Sequence, residues 1–349
     1  MDQTNHVSII INNYNYGRFL SAAIESALNQ SYDRTEVIVV DDGSTDDSRD
    51  IIARYGERII PILKENGGQA SAFNMGFAHS HGSIVIFLDA DDALLPHIAE
   101  SVAGEFQRNP ALSKVQYPLD VIDADGKLTG DRVPPATLSM PSGDLRKQML
   151  TFPDDVRTSP TSGNAFASSA LCQVLPMPAL QPGFAWADLY LYNVVPLFGS
   201  VQSLSSPGGL YRRHDSNHYY STTLDLRRIR QMMMSTRDNR HYILKYARML
   251  DLPDLPHRAE DILSVTYVVN RVASFRLDPL THPYKSDSRV SLTRLGMRAA
   301  SRRFDLPLRV RMVYMTWFVA AAFAPHSVMR WLVTQVFYPQ RRGLLGRFI

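Results

Sequence analysis

Four apolar runs near the start of the chain each stop at a cluster of polar side chains, and this repeated layout leaves few possible folds. The runs span residues 7–11, 37–40, 59–63 and 84–88. Continuous runs of this kind are typical of strands buried on both faces of a parallel sheet. The segments between them have helical spacing, as in the apolar stripe Phe19, Leu20, Ala23, Ile24, Ala27 and Leu28. Alternating strands and helices predict a doubly wound α/β fold.

The polar clusters indicate where a ligand would bind. They are, in chain order, Asn12-Asn13, Asp41-Asp42, Lys64-Glu65-Asn66 and Asp89. In open α/β sheets, ligands bind outside the carboxyl ends of the strands, which is where each of these clusters falls. The sequence therefore predicts a functional site at that edge of the sheet.

The last run leads directly into three carboxylates, Asp89, Asp91 and Asp92, in the motif F-L-D-A-D-D. Carboxylates this close repel one another, so a divalent cation or the donor groups of a ligand would stabilise them. This favours a metal-assisted phosphate site. The alternative is a polar turn whose aspartates cap the next helix.

Four motifs, taken together in order and spacing, resemble the family 2 glycosyltransferases. They are V-S-I-I-I-N-N-Y-N (7–15), E-V-I-V-V-D-D-G-S-T-D (36–46), E-N-G-G-Q-A-S-A-F-N-M-G (65–76) and F-L-D-A-D-D (87–92). The resemblance runs from residue 7 to about residue 220. It implies a GT-A fold, a Rossmann-like, mixed and mostly parallel sheet flanked by helices. It also implies transfer of a sugar from a nucleotide diphosphate to an acceptor hydroxyl with inversion.

The resemblance implies a site for the donor nucleotide and a metal. Asp41 or Asp42 is expected against the nucleobase and ribose, and Asp89 near the ribose. Asp91 is the expected metal ligand, and oxygen ligands favour Mg²⁺ or Mn²⁺. The donor-binding residues implied are Asn13, Tyr14, Asp41, Asp42, Gly68 and Asp89.

Two details of the donor motifs leave room for other interpretations. Many family members have proline after the first strand, where this chain has Asn12-Asn13 before Tyr14. Gly68 would let the backbone approach the ligand closely, but Asn-Gly-Gly is also an ordinary turn before a helix.

Direct displacement needs a base that takes the proton of the acceptor hydroxyl. The family supplies an acidic residue from the second half of the domain, and here the candidate is Asp188 in G-F-A-W-A-D-L-Y-L-Y (183–192). Apolar neighbours would raise its pKa. Ala187 stands where the family usually has a second acidic residue. The alternative is that Asp188 only caps a helix or interacts with its dipole.

Two further segments resemble family motifs on either side of Asp188. T-S-G-N-A-F (161–166) resembles the floor of the acceptor pocket, although it also fits a turn entering a helix. G-G-L-Y-R-R-H-D-S-N (208–217) resembles the closing Y-R-x-H motif, in which His214 would bind the metal or the diphosphate, and Arg212 or Arg213 would offset phosphate charge. The acceptor-binding residues expected are Ser162, Gly163, Asn164 and Trp186.

Length and cysteine content set the broad organisation. We predict a catalytic domain over 1–223, a helical extension over 224–300 and basic, apolar membrane-proximal helices over 301–349. The single cysteine, Cys172, fits a reducing cytosol. The first strand begins at Val7, which leaves no room for a signal peptide in this sequence.

Charge is distributed unevenly along the chain. Residues 285–349 contain 12 Lys or Arg and 2 Asp or Glu, within a total net charge of +3. In the same region, residues 312–324 form a charge-free apolar run of 13 residues that is too short to cross a bilayer as a helix. A basic, apolar end favours peripheral or re-entrant association with the anionic surface of a membrane over a single crossing. The alternative is a helix pair packed on the catalytic domain; nucleic acid is not expected, because aromatic and basic residues do not interleave.

These features together predict a metal-dependent inverting glycosyltransferase at the cytosolic face of the cell membrane. The expected reaction moves a sugar from a nucleotide diphosphate, most simply UDP, to a glycan or lipid-linked glycan in surface or exopolysaccharide synthesis. One alternative is a processive polysaccharide synthase, but Ser327 stands where that class has the glutamine of Q-x-x-R-W. The other is a non-catalytic, membrane-bound protein that binds nucleotide sugars.

Overall fold

The computed structural model describes residues 5–178, 187–215 and 224–337. Its contacts divide the chain into two compact units. Of the described residues, the first unit contains 5–146, 157–178 and 187–215, and the second contains 147–156 and 224–337. The predicted catalytic boundary at residue 223 therefore lies close to the change of unit, while residues 224–300 and the helices after them belong to one unit.

A seven-stranded mixed sheet forms the centre of the first unit. Its strands are β1 (Val7–Asn13), β2 (Thr35–Asp42), β3 (Ile60–Lys64), β4 (Ile84–Asp89), β6 (Leu112–Gln116), β9 (Asn164–Ala167) and β10 (Ser200–Ser203). The order is β10-β6-β9-β4-β1-β2-β3. Only β9 is antiparallel to its neighbours β4 and β6. The predicted mixed, mostly parallel sheet is confirmed.

Burial separates the four predicted strands into two kinds. The apolar residues of β1, β2 and β4 are almost wholly buried, because they lie in the interior of the sheet between helices. β3 is the edge strand, and Ile60 and Leu63 are 36% and 52% exposed. The expectation that residues 59–63 are buried on both faces is therefore wrong, since an edge strand has a neighbour on one side only.

The helices of the first unit cover this sheet. They are α1 (Gly17–Leu28), α2 (Ser48–Ala53), α3 (Gln69–Ala78), α4 (Ile98–Arg108), α6 (Ser168–Val174) and α7 (Ala187–Val194). α1 buries most of the predicted stripe, including Phe19, Leu20 and Ile24. α3 approaches β1 and β2 closely at Gly76, where a Cβ atom would overlap the side chain of Ile10. These contacts fix where each strand ends relative to the next helix.

A second sheet of four strands carries the later motifs. It contains β5 (Ala93–Leu94), β7 (Leu119–Ile122), β8 (Leu128–Val133) and β11 (Gly209–Arg212) in the order β5-β11-β7-β8. β5 follows β4 after the three-residue turn 90–92, and it pairs with β11. The pairing brings the Y-R-R-H motif to the F-L-D-A-D-D motif.

The second unit is helical. It contains most of α5 (Arg146–Thr151), α8 (Leu226–Met249), α9 (Val265–Leu277), α10 (Arg289–Ser301), α11 (Leu308–Phe323) and α12 (His326–Phe337). Asp225 caps α8 by accepting hydrogen bonds from the backbone N–H groups of Arg227 and Arg228. The core of the second unit includes Met233, Val268, Phe318 and Val333. Within the described residues, no helix combines the length and apolar character needed to cross a bilayer.

Candidate active site

The carboxyl ends of β1 and β4 place Asp89 between two side-chain amides. Asn12 is the register partner of Asp89, and its Nδ2 donates to Asp89 Oδ1 over 2.9 Å. Gln69, the first residue of α3, donates to the same oxygen over 3.3 Å. Burial, followed by the charge of Asp91, raises the pKa of Asp89 to about 7. Two amide donors thus hold a carboxylate in a position that strongly disfavours its charge.

Asp92 ties three parts of the chain together. It is 1% exposed, its Oδ2 accepts a hydrogen bond from Ser162 Oγ over 2.7 Å, and its Oδ1 accepts one from the backbone N–H of Arg212 over 2.9 Å. Burial and the neighbouring carboxylates of Asp91 and Asp89 raise its pKa well above the usual range. Asp92 therefore fixes the turn after β4 against β11 and the 161–163 segment.

Asp91 and His214 are in direct contact in the site. His214 Nε2 lies 3.0 Å from Asp91 Oδ2, and their side chains are 6% and 13% exposed. The imidazole packs against the ring of Phe19 at 4.8 Å between centroids and edge-on against Tyr16 at 5.7 Å. The two predicted metal ligands are thus side by side, and α1 contributes the aromatic wall that orients the histidine.

The guanidinium of Arg212 is engaged by backbone carbonyls. Its Nε donates to the carbonyl oxygen of Asp91 over 2.9 Å, and its Nη1 lies 3.4 Å from the carbonyl oxygens of Asp123 and Ala124. Arg213 Nη1 donates to Asp131 over 2.5 Å. The structure thus shows both arginines holding the loops around the carboxylates; their predicted role toward phosphate stays a prediction.

The ends of β1 and β2 are locked together through Asp41. This buried carboxylate accepts hydrogen bonds from Asn13 Nδ2 and Arg49 Nε, each over 2.9 Å, and from the backbone N–H of Ser44 over 3.1 Å. Burial acts to raise the pKa of Asp41, but the hydrogen bonds from Ser44, Arg49 and Asn13 outweigh it and keep the pKa below its usual value. Asp41 is thereby kept ionised in the interior of the protein.

Asp42 organises the glycine loop that precedes α3. Its carboxylate accepts hydrogen bonds from the backbone N–H groups of Gly67 over 3.0 Å and Gly68 over 2.7 Å, and it pairs with the ammonium of Lys64. Gly68 has φ of +81°, a conformation that favours glycine. The loop is therefore held in the shape that presents Gln69 to Asp89.

An open polar cavity lies beside these two aspartates. It has a volume of about 490 Å³ and is lined by Gly43, Ser44, Arg49, Leu63, Lys64, Glu65 and Asn66. Tyr14, a predicted donor-binding residue, is 47% exposed. Its side chain is therefore accessible to a ligand.

The residues predicted to bind the acceptor are mostly engaged with the protein itself. Ser162 and Asn164 are fully buried. Asn164 Nδ2 donates to the carbonyl oxygens of Ser159 and Pro160, and Ser162 Oγ accepts from the backbone N–H of Asp89 as well as donating to Asp92. At Gly163 a Cβ atom would lie 2.7 Å from the carbonyl oxygen of Tyr117. These contacts brace the carboxylates, and acceptor binding by the three residues stays a prediction; Trp186 lies outside the described residues.

Asp188 lies in the first turn of α7 and is 5% exposed. Its Oδ1 accepts a hydrogen bond from the backbone N–H of Leu189 over 2.7 Å. Burial, the charge of Asp91 and the hydrogen bond from Asn12 have the largest effects on the pKa of Asp89. The charge of Asp188 raises this pKa further. Asp188 therefore lies within electrostatic range of Asp89, and its role as the base stays a prediction.

Tyr192 follows Asp188 in α7, and Lys114 packs against Tyr192. Tyr192 lies one turn further along α7, and burial, followed by the charge of Asp188, raises its pKa well above the usual range. Lys114 is 2% exposed on β6, lies 4.9 Å from the Tyr192 ring, and donates to Thr158 Oγ1 over 2.6 Å. Burial lowers the pKa of Lys114 to about 7.

Sequence reasoning missed several residues of this site. Asn12 belongs to a predicted polar cluster and Gln69 follows Gly68, but neither was predicted as a site residue; the pairing of β1 with β4 would have indicated the contact of Asn12 with Asp89. Lys114 and Tyr192 gave no comparable signal, because their proximity depends on how β6 and α7 pack. Over the residues that the structure describes, no three acidic, histidine or cysteine side chains form a preformed metal cluster.

Comparisons with known proteins identify the family of the chain. The family model described as Glycosyl transferase family 2 matches residues 8–168. An uncharacterized glycosyltransferase of Nostoc sp. (strain PCC 7120) is 37% identical over 221 residues, which cover 62% of this chain and 67% of that protein. Several other curated relatives are matched over less than two thirds of their length. The chain belongs to the family 2 glycosyltransferases and is an enzyme of the glycosyltransferase class.

Two solved structures show the same fold. TarS 1–349 of S. aureus, in complex with UDP-GlcNAc, has a TM-score of 0.55 at 15% identity and covers 97% of this chain and 92% of that one. The mannosyltransferase PcManGT of Pyrobaculum calidifontis, in complex with GDP-Man and Mn²⁺, has a TM-score of 0.51 at 16% identity, with coverage of 96% and 85%. The predicted GT-A fold is confirmed, including a helical C-terminal region.

Proposed function

We propose that the protein transfers a sugar from a nucleotide diphosphate sugar, with UDP as the nucleotide, to a hydroxyl group of a glycan or lipid-linked glycan with inversion. The observation that carries this proposal is the placement of Asp89, Asp91 and Asp92 at the end of β4, with Asp188 in the first turn of α7 within electrostatic range of Asp89. A nucleotide-sugar donor is further supported by the UDP-GlcNAc and GDP-Man complexes of the two structural neighbours.

In this proposal the donor nucleotide lies along the carboxyl ends of β1, β2 and β4. The accessible Tyr14 and the polar cavity beside Asp41 and Asp42 are suited to the nucleobase and ribose. Asp41 and Asp42 act mainly by holding that wall in shape, because their oxygens already accept hydrogen bonds from Asn13, Gly67 and Gly68.

Asp91 and His214 would hold Mg²⁺ or Mn²⁺. The residues fit such an ion, because an imidazole nitrogen and a carboxylate oxygen already face each other at 3.0 Å beside two carboxylates that repel Asp91. When bound, the ion would supply positive charge against the diphosphate.

Asp188 takes the proton of the acceptor hydroxyl while the oxygen of that hydroxyl forms a bond to the anomeric carbon. The bond between that carbon and the diphosphate oxygen breaks, and the electron pair leaves with the nucleotide. Attack opposite the leaving group inverts the anomeric configuration. Tyr192, one turn from Asp188, would shape the acceptor side of this space.

We further place the enzyme at the cytosolic face of the cell membrane, in the synthesis of a surface polysaccharide or exopolysaccharide. The basic C-terminal part of the chain and the exposed apolar residues of α11 and α12 support this location. A lipid-linked acceptor would then be presented at the same surface as the enzyme.

The donor site is tested by calorimetric titration of UDP with and without Mn²⁺. Wild-type protein should bind UDP tightly only with the metal, and Asp91→Asn should weaken that binding at least about tenfold. Asp33→Asn is the matched control, since Asp33 is exposed in the turn before β2, at the opposite edge of the sheet. UDP binding that ignores both Mn²⁺ and Asp91 would contradict the proposed metal site.

The chemistry is tested by turnover of UDP-sugars with lipid-linked acceptors. Asp188→Asn should reduce kcat by about 10²- to 10⁴-fold and leave UDP binding unchanged. Nucleotide binding without any turnover would instead favour the non-catalytic alternative. Failure to bind UDP, followed by binding of GDP or dTDP, would change the donor but not the reaction.

A further inference from the structure

Helix α11 exposes an apolar stripe to solvent. Leu308, Met312, Val319 and Phe323 are 66%, 52%, 43% and 79% exposed. Their spacing of four, seven and four residues places them along one face of a helix. The other side of α11 carries Phe318 and Ala321, which are buried in the core of the second unit. α11 is therefore apolar on both its buried and its exposed sides.

The next helix continues this pattern. In α12, Val328 and Trp331 are 44% and 49% exposed and lie three residues apart, while Met329 and Val333 are buried. Exposed large apolar side chains scattered singly need no explanation, but two consecutive helices with such residues at helical spacing do. α11 and α12 thus present apolar surface beyond what packing of their own unit uses.

Positive charge accompanies this surface. Arg309 and Arg330 are both exposed, one near the start of α11 and one in α12. Over residues 285–337 the chain has nine Lys or Arg and two Asp or Glu. A second copy of the chain would bring the same positive charge to the contact, whereas an anionic lipid surface is complementary in charge and also accepts apolar side chains.

The length of α11 determines how it would meet a bilayer. Its 16 residues extend about 24 Å along the helix axis, less than the roughly 30 Å of a hydrocarbon core. A helix of this length with arginine near its start is suited to lying in the interfacial plane.

We infer that the exposed faces of α11 and α12 bind the surface of an anionic bilayer. Leu308, Met312, Val319, Phe323 and Trp331 enter the boundary between headgroups and acyl chains, and Arg309 and Arg330 pair with lipid phosphates. This assigns the contact for the membrane location given under the proposed function, on which it rests.

Co-sedimentation of the full-length protein with lipid vesicles tests the inference. One set of vesicles is phosphatidylcholine alone, and the other contains about a third of phosphatidylglycerol. Wild-type protein should sediment with the anionic vesicles only. The double substitution M312S/F323S should lower the partition coefficient at least about tenfold. Both residues are exposed, so the far-UV circular dichroism of the variant should be unchanged.

Leu280→Ser is the matched control. Leu280 is 97% exposed in the same unit but lies in the 279–281 turn, outside α11 and α12. Its loss should not change vesicle binding. Equal binding by wild type and M312S/F323S, or no binding of wild type to anionic vesicles, would overturn the inference. A dimer in sedimentation velocity that M312S/F323S abolishes, without vesicle binding, would assign the face to self-association instead.

Titration of UDP with Mn²⁺ on the same preparations separates this inference from the proposed function. UDP binding without vesicle binding would overturn the membrane contact alone. Vesicle binding without binding of any nucleotide would overturn the donor site alone.

Discussion

At the scale of single residues, the site is held by buried polar groups whose charge is costly. Asp41 is kept ionised by several donors, whereas Asp89 and Asp92 have raised pKa values because burial and neighbouring carboxylates outweigh their donors. Lys114 is the cationic counterpart, since burial lowers its pKa. Such groups are typical of functional sites, because a fold that optimised only stability would remove them.

Lys114→Met should stabilise the protein in a pH-dependent way. The pKa of Lys114 is about 7 in the folded protein and near 10.4 when unfolded, so between these values the unfolded state binds one more proton. The free energy of unfolding of wild type therefore rises with pH across this window. The advantage of Lys114→Met should be a few kcal/mol below pH 7 and shrink toward pH 10. Urea unfolding of both proteins from pH 6 to 10 measures it; a pH-independent difference would show that Lys114 is not buried as a neutral amine.

The substitution Ser162→Ala tests whether Ser162 supports the carboxylates of the site or binds the acceptor. The Ser162 hydroxyl bridges Asp92 and the backbone N–H of Asp89, so its loss leaves buried polar atoms without a partner. We expect destabilisation by about 1–3 kcal/mol and a lower kcat, with KM for the acceptor unchanged. Thermal unfolding and steady-state kinetics measure these effects. A raised acceptor KM with unchanged stability would support direct acceptor binding.

At the scale of helices and strands, close approach of α3 to the sheet sets the position of the proposed donor site. Gly76 lets α3 lie directly on β1 and β2, and the start of α3 carries Gln69 to Asp89. Gly68 directly precedes the same helix, and its backbone N–H donates to the carboxylate of Asp42. The glycine loop before α3 is thus positioned both by packing near the C-terminal end of the helix and by hydrogen bonds at its N-terminal end.

Gly76→Ala should destabilise the protein by about 1–3 kcal/mol, because the added methyl group overlaps Ile10 and lies 3.2 Å from Val40 Cγ2. Gly104→Ala in α4 is the matched control. The nearest atom to its Cβ would be Arg108 Nη2 at 3.7 Å, so there the substitution should stabilise by about 0.5–1 kcal/mol through helix propensity. Urea unfolding of both variants measures these changes in the free energy of unfolding, and the m-values should stay unchanged. If Gly76→Ala stabilised the protein as Gly104→Ala is expected to, α3 would be able to shift away from Ile10 without cost.

The elements of the first unit were largely predictable, and the reasons for the exceptions are physical. Continuous apolar runs identified β1, β2 and β4, because burial on both faces leaves a signal in local sequence. The same signal was misleading for β3, since an edge position depends on which strands pair and not on the run itself. β9, the antiparallel strand beside β4, has only four residues and gave no pattern of its own. Acceptor binding by Ser162, just before β9, and by Asn164, its first residue, was predicted from the family resemblance of 161–166 and stays a prediction.

At the scale of the whole molecule, charge and apolar surface are concentrated in the C-terminal part of the chain. Residues 285–349 have 12 Lys or Arg and 2 Asp or Glu, so the remaining residues are net negative under a total of +3. The exposed stripe of α11 lies in the same part of the chain. An anionic bilayer would attract this end and repel the rest. Membrane attraction would therefore have two separable parts, one electrostatic and one apolar.

Salt should separate these two parts. Raising ionic strength from about 0.05 to 0.5 M shortens the range of electrostatic attraction, so partition of wild type onto anionic vesicles should fall steeply. M312S/F323S should bind less at every salt concentration but lose affinity with the same slope, because its charge is unchanged. Arg309→Gln should do the reverse, with a shallower slope and little change at high salt. Co-sedimentation across the salt series measures both quantities. A slope that changes with the apolar substitutions, or an apolar contribution that disappears at low salt, would show that the arginines and the stripe do not contact the bilayer as one surface.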